Sequence, residues 1–147
     1  MNPSYENKEV ISAENVKIEL SSEEEEIYTE NIIDHYKHPH NQRELARYTV
    51  KQHELNPLCG DEITLYLELT GETIADASFQ GHGCAISQAS ISMLTDLLKG
   101  KTLAEAQQLT QAEILTMLGI PISHTRLKCA LLSLKTLHGG LHHVRNH

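Results

Sequence analysis

The stretch ITLYLELTGETIADASF, residues 63–79, decides the fold. Its first half places Ile63, Leu65, Leu67 and Leu69 on one face, and Glu62, Thr64, Tyr66 and Glu68 on the other. Alternation with a period of two is typical of a half-buried antiparallel strand. Residues 70–72 are a turn signal, and the chain then returns with Ala75, Ala77 and Phe79 on one face. The stretch therefore predicts a β-hairpin, and residues 48–55 predict a third strand.

Helical patterns lie on both sides of this hairpin. After Ser22, the predicted N-cap, an acidic run begins an amphipathic helix that stops before Pro39. A broad apolar band over 84–99 predicts a deeply packed helix. Two short helices with threonine caps are predicted next, beginning at Thr102 and Thr110. The last predicted helix covers 125–138, and the pair Gly139-Gly140 is expected to break it.

Length, charge and hydropathy limit the class of protein. A chain of 147 residues is long enough for one compact core, so we expect a flexible N-terminal tail over 1–22 and a single domain over 23–147. No apolar run reaches about 18 residues, which predicts no membrane partner. A net charge of −8 without a concentrated basic face predicts no nucleic-acid partner. Early charges such as Glu6 and Lys8 argue against a secretory signal, so we expect a cytoplasmic protein.

Three cysteines are the candidates for chemistry: Cys59, Cys84 and Cys129. An odd number in a reducing compartment argues against a disulfide framework, and scattered cysteines are by default small buried side chains. Cys59 and Asp61 stand two apart, so extended backbone can present a thiolate and a carboxylate to one site, and Gly60 allows close approach. A plain turn with a capping aspartate is the alternative for this segment.

The other two cysteines are predicted at helix starts. Cys84 follows the glycine-rich residues 81–83, where unpaired backbone N–H groups of a first turn favour its thiolate form. Cys129 lies near the start of the last helix, and its neighbours Arg126 and Lys128 are expected to favour thiolate as well. If the segments converge, three sulfurs and one oxygen meet, which suits tetrahedral zinc or an iron–sulfur cluster.

The ten histidines are expected to be mostly exposed. Six histidines outside the C-terminal stretch are possible metal ligands by residue type: His35, His38, His40, His53, His82 and His124. Among them only His82, close to Cys84 in sequence, is a candidate ligand. We expect that it does not contact the metal.

Several motifs together resemble one family. They are the Cys-Gly-Asp turn at 59–61 and the runs Gly81–Ser90 and Arg126–Ser133, while residues 28–41 resemble the family's first helix. In this order the chain resembles the IscU/SufU (NifU N-terminal-like) iron–sulfur cluster assembly scaffold family. The resemblance implies an α+β fold, a small three-stranded antiparallel sheet with helices packed on one face.

The resemblance also implies a site made of Cys59, Asp61, Cys84 and Cys129. Members of the family accept sulfur from a PLP-dependent cysteine desulfurase and hold a transient [2Fe–2S] cluster or zinc. They serve downstream apo-proteins or cluster carriers, so the implied role is a scaffold and sulfur acceptor rather than an enzyme. Cys59 is the expected sulfur acceptor and Cys129 the alternative, because the loop of Cys59 should be more mobile than the helix starts at the other two cysteines.

The subfamily and two other functions stay open. IscU-type members carry a histidine where this chain has Lys128, whereas Arg126 resembles the SufU type, whose usual insertion before the third cysteine is missing. A zinc-dependent sulfurtransferase of the SufU type without a scaffold role is one alternative, and a structural zinc-binding interaction module is another. A zinc hydrolase or deaminase would need a general base such as the glutamate of an HxE motif, which the sequence lacks.

Overall fold

The computed structural model describes residues 21–145, so the predicted tail lies outside the described residues apart from its last two. Helix α1 (Ser22–Lys37) has Ser21 as its N-cap rather than Ser22. The Ser21 hydroxyl accepts the N–H of Glu24, and the Glu24 carboxylate accepts the N–H of Ser21, both at 3.1 Å. The prediction was one residue late because Ser22 also has a glutamate three positions on. The helix ends before Pro39, as predicted.

Three strands form one antiparallel sheet in chain order: β1 (Val50–Asn56), β2 (Asp61–Thr70) and β3 (Thr73–His82). The inner face of this sheet packs against α2 (Ala85–Leu98) and α5 (Leu127–Arg145). The fully buried side chains at this contact include Ile63, Leu65, Leu67, Phe79, Ile91, Leu94, Leu98 and Leu137. The predicted fold, a three-stranded antiparallel sheet with helices on one face, is confirmed.

A bulge in the hairpin makes one predicted inner residue wrong. Leu69 pairs with Ile74, but Glu68 pairs with Asp76, so Ala75 is an extra residue in β3. Ile74 therefore points inward and is fully buried, while Ala75 is exposed. The alternation read from the sequence resumes only after the bulge.

The two predicted short helices form with the predicted caps. Helix α3 (Leu103–Gln107) follows Thr102, and helix α4 (Gln111–Leu118) follows Thr110. Each threonine accepts the N–H of a glutamate three residues on, and each glutamate accepts the N–H of its threonine. No helix among residues 21–145 is long and apolar enough to cross a membrane.

The expected break of the last helix at its glycine pair was wrong. Helix α5 follows a 3-10 turn (His124–Arg126) and continues through both glycines to Arg145. A Cβ atom on Gly139 would lie 2.8 Å from Gln52 Nε2, and one on Gly140 would lie 2.9 Å from Val50 Cγ1. The two glycines therefore let the helix backbone approach β1 closely, and helical packing outweighs their low propensity.

Gly140→Leu is expected to lower the free energy of unfolding by about 1–3 kcal/mol, because the added side chain must push α5 away from β1. Urea or thermal unfolding measures the loss. His143→Leu is the matched control, since His143 is exposed on the same helix and the substitution should change stability little. A Gly140→Leu variant as stable as the wild type would contradict the close packing of α5 on β1.

Candidate metal centre

The turn between β1 and β2 presents two of the predicted donors. The Asn56 carbonyl accepts the N–H groups of Cys59 at 3.2 Å and of Gly60 at 2.9 Å, which closes the turn. Gly60 has a φ of 75°, in the left-handed region that favours glycine. Cys59 is exposed at the tip, whereas Asp61 is the first residue of β2 and is fully buried.

Asn56 is a residue of this site that the sequence reasoning missed. It is buried, its side-chain oxygen accepts the N–H of Leu58 at 3.2 Å, and its amide nitrogen donates to Cys59 Sγ at 3.5 Å. Asparagine side chains commonly bond the backbone two residues on, so the Asn-Pro start of the turn was the available signal. Asn56 thus orients the Cys59 sulfur.

Cys84 reaches the site from the start of α2, where it is the N-cap residue. Its backbone N–H donates to Asp61 Oδ1 at 2.8 Å, and its Sγ lies 3.9 Å from Asp61 Oδ2. The Asp61 carboxylate therefore stabilises the positive end of the α2 dipole. A Cβ atom on Gly83 would lie 2.3 Å from Asp61 Oδ1, so only glycine leaves room for the carboxylate at that position.

Cys129 enters from the first turn of α5 and is only 1% exposed. Its Sγ lies 3.1 Å from Cys59 Sγ. Burial raises the pKa of the Cys129 thiol well above its usual range, and the neighbouring Cys59 and Asp61 side chains raise it further. The expectation that Arg126 and Lys128 favour a Cys129 thiolate was therefore wrong, because both cations are exposed while the sulfur is buried beside a carboxylate.

The four predicted donors come from three separate segments and meet at one end of the sheet. Cys59, Asp61 and Cys129 each offer one donor atom, and these three atoms lie within 4.8 Å of one another. Cys84 lies next to these three residues, with its Sγ 3.9 Å from Asp61 Oδ2. A tetrahedral ion with Zn–S bonds of ~2.3 Å needs sulfurs about 3.8 Å apart, so the donor types and spacing fit zinc after small side-chain rotations.

His82 is engaged elsewhere. Its Nε2 lies 2.9 Å from Glu62 Oε1, while His53 Nε2 lies 2.6 Å from the other oxygen of the same carboxylate. Its side chain is 73% exposed. His82 therefore pairs with Glu62, the residue that follows Asp61 on β2.

An open apolar cavity of about 550 Å³ lies beside the turn and the start of α5. Its lining includes Leu55, Pro57, Leu58, Leu127, Lys128 and Leu131. Leu58, which precedes Cys59 in the chain, is 80% exposed. Leu55 lines the same cavity and is 46% exposed, and contiguous exposed apolar surface of this kind is typical of a contact surface for another protein.

Comparisons with known proteins agree with the motifs. Residues 27–146 match the NifU-like N terminal domain family. The chain is 36% identical over 132 residues to the zinc-dependent sulfurtransferase SufU of Bacillus subtilis, covering 78% of this chain and 89% of that protein. It is 32% identical over 111 residues to the iron–sulfur cluster assembly scaffold protein IscU 1 of Archaeoglobus fulgidus, covering 76% of this chain and 72% of that protein.

Solved structures share the fold. A protein from Fervidobacterium islandicum AW-1, assigned as an iron–sulfur cluster assembly scaffold for the SUF system, superposes with a TM-score of 0.65 at 31% identity. The match covers 79% of this chain and 97% of that chain. A NifU-like N-terminal protein from Brucella abortus has the same fold at 19% identity, with a TM-score of 0.66 and coverage of 83% and 96%. The similar proteins thus include members named SufU and members named IscU.

Proposed function

Because this chain belongs to the NifU-like N-terminal domain family, we propose that it is an iron–sulfur cluster assembly protein. It accepts sulfur from a PLP-dependent cysteine desulfurase and holds zinc or a transient [2Fe–2S] cluster between Cys59, Asp61, Cys84 and Cys129. It acts as a scaffold and sulfur acceptor in the cytoplasm, where thiols stay reduced, and passes its cargo to apo-proteins or cluster carriers.

One observation carries the proposal: the 3.1 Å approach of Cys59 Sγ and Cys129 Sγ, with Asp61 and Cys84 against them. Two thiol sulfurs this close to a fully buried carboxylate are a poor arrangement for stability alone, because one backbone N–H and a helix dipole only partly offset the cost of a buried charge. Bound zinc or iron would supply the positive charge that compensates Asp61 and keeps the sulfurs as thiolates. The residues are therefore arranged for a cation.

Cys59 accepts the sulfur. Its thiolate attacks the outer sulfur of the desulfurase persulfide, a new S–S bond forms at Cys59, and the donor cysteine leaves as a thiolate. Cys59 is the exposed cysteine of the three, whereas Cys129 is buried and Cys84 is partly buried. The apolar cavity beside Leu58 offers the desulfurase a contact surface next to this sulfur.

The relatives include a cluster assembly scaffold and a zinc-dependent sulfurtransferase of the SufU type. An experiment must therefore distinguish these two functions. Anaerobic reconstitution with ferrous iron, cysteine, a desulfurase and a thiol reductant, which reduces the transferred sulfur to sulfide, tests for a cluster, and the same reaction without iron and reductant tests for a persulfide. A scaffold gains the visible absorption of a [2Fe–2S] cluster together with matching iron and sulfide. A zinc-dependent sulfurtransferase gains a persulfide and keeps zinc without forming a cluster. A protein that takes up neither sulfur nor iron would contradict both and favour a structural zinc module.

Asp61→Ala is expected to hold its cargo longer, because a hard carboxylate among thiolates makes a weaker and more open site. The cluster should persist longer in air and transfer more slowly to an acceptor than in the wild type, as followed by visible absorption. The domain should stay folded at a cost of about 1 kcal/mol, since Cys84 loses the carboxylate that accepts its N–H.

Asp61→Asn is the matched control for this loss of a hydrogen bond. The asparagine oxygen can still accept the Cys84 N–H, but the negative charge is gone. If the carboxylate sets the lability, both variants hold the cluster longer. Faster cluster loss than the wild type in both variants would show that Asp61 retains cargo instead of releasing it.

A further inference from the structure

A second group of metal-ligating side chains lies where α1 and the loop after it meet α2. One ring nitrogen from each of His35 and His40 and one carboxylate oxygen of Asp96 lie within 4.8 Å of one another. The two imidazole rings are 4.3 Å apart between centroids. Asp96 stands near the opposite end of α2 from Cys84, at about 18 Å for a rise of 1.5 Å per residue. The group is therefore separate from the cysteine site.

We propose that His35, His40 and Asp96 bind a divalent first-row transition-metal ion. Two imidazoles and one carboxylate, with positions left open to solvent, are a donor set that zinc, cobalt and ferrous iron accept. His40 and Asp96 have side chains 47% and 45% exposed, which gives an ion a path from solvent. His35 is buried and closes the inner side of the site.

The three donors are already oriented by neighbouring groups. His35 Nδ1 lies 2.7 Å from Ser92 Oγ, an interaction that fixes its ring, and the same oxygen accepts the His40 backbone N–H at 2.8 Å. Asp96 Oδ1 accepts from Asn41 Nδ2 at 2.8 Å. Metal-binding histidines and carboxylates are commonly held by such outer hydrogen bonds. Ser92 and Asn41 would therefore supply the second layer of contacts around the ion.

The existing contact between His40 and Asp96 marks the place of the ion. His40 Nδ1 lies 2.6 Å from Asp96 Oδ2, a hydrogen-bonding distance that a tetrahedral ion with bonds of ~2.0–2.1 Å would widen to about 3.3 Å by small side-chain rotations. The Lys99 ammonium group bonds Asn41 Oδ1 and lies 3.6 Å from Asp76 Oδ1 rather than pairing with Asp96. Asp96 Oδ2 is thus shared with His40 and available to a metal ion.

Titration of the full-length apo-protein with Co²⁺ tests this site. Thiolate ligands give bound Co²⁺ an intense charge-transfer absorption that nitrogen and oxygen ligands do not give. We expect two equivalents in the wild type, one with this absorption and one without it. His40→Asn and Asp96→Asn should each weaken the second equivalent by about tenfold or more, with the first unchanged. Both side chains are half-exposed, and circular dichroism verifies that the variants fold.

Two control variants make the result specific. Cys129→Ser should lower the thiolate absorption of the first equivalent and keep the second, so failure of the cysteine site is distinguishable from failure of this one. The double variant His142→Asn, His143→Asn should keep both equivalents. Loss of the second equivalent in that double variant would overturn the assignment, and so would a wild type that binds one Co²⁺ only. Retention of the second equivalent in both His40→Asn and Asp96→Asn would overturn it as well.

Discussion

Cys59→Ser is expected to abolish the acceptance of sulfur from a cysteine desulfurase. The serine hydroxyl cannot form the S–S bond, and the remaining two sulfurs are less accessible, Cys129 at 1% exposure most of all. The measurement is intact-protein mass spectrometry after incubation with the desulfurase and free cysteine. The wild type should gain one sulfur atom at Cys59, and the Cys59→Ser variant should gain none.

Cys84→Ser and Cys129→Ser are the matched controls, because each removes one sulfur of the same site. Both variants should still carry the added sulfur on Cys59, as peptide mapping would show. If Cys59→Ser folds and accepts sulfur as fast as the wild type, Cys59 is not the acceptor. Cys129 would then be the next candidate, and α5 would have to move to expose it.

Gly83→Ala is expected to weaken zinc binding by about 10–100-fold, because its new Cβ would push away the Asp61 carboxylate that accepts the Cys84 N–H and so move the Cys84 sulfur out of the site. That Cβ would lie 2.3 Å from Asp61 Oδ1 and 2.9 Å from Ser87 Oγ, at a φ of 153° that side chains rarely adopt. The free energy of unfolding should fall by about 1–3 kcal/mol from the backbone strain. Competition with a chromophoric chelator measures the affinity.

Gly100→Ala is the control that separates the effect of backbone strain from the effect of displacing the Asp61 carboxylate. Gly100 also has a positive φ, 89°, but no atom lies within 4 Å of the position of its Cβ. This variant should lose stability and keep the zinc affinity of the wild type. Equal zinc affinities in Gly83→Ala and the wild type would mean that the contact between Asp61 and the Cys84 N–H does not position the Cys84 sulfur for the metal.

The strands and short helices could be predicted because their signals are local. Alternation over 63–69 depends only on neighbouring side chains, and the caps at Thr102 and Thr110 need a glutamate three residues on. The errors at Ala75 and at the glycine pair have a different origin. A bulge is defined by the partner strand, and Gly139-Gly140 can be a helix end or a close contact depending on what packs against it. Neither partner is visible in the local sequence.

The candidate site could be predicted in part. The pairing of Cys59 with Asp61 was expected from extended backbone, whereas the structure places Cys59 in a tight turn and only Asp61 in a strand. Only the family resemblance linked these two residues to Cys84 and Cys129. The thiolate expectation for Cys129 failed because burial depends on the fold, not on the neighbouring cations. The pairing of His40 with Asp96 joins a loop to a distant helix and leaves no pattern in the sequence.

The most direct test of the proposed site is zinc X-ray absorption spectroscopy on the protein loaded with one equivalent of zinc. The measurement uses the His40→Asn variant, so that zinc does not bind at the proposed site of His35, His40 and Asp96. We predict about three sulfur ligands at ~2.3 Å and one oxygen ligand, with one sulfur fewer in Cys84→Ser. A spectrum without sulfur ligands, or one unchanged by Cys84→Ser, would contradict a single site built from Cys59, Asp61, Cys84 and Cys129.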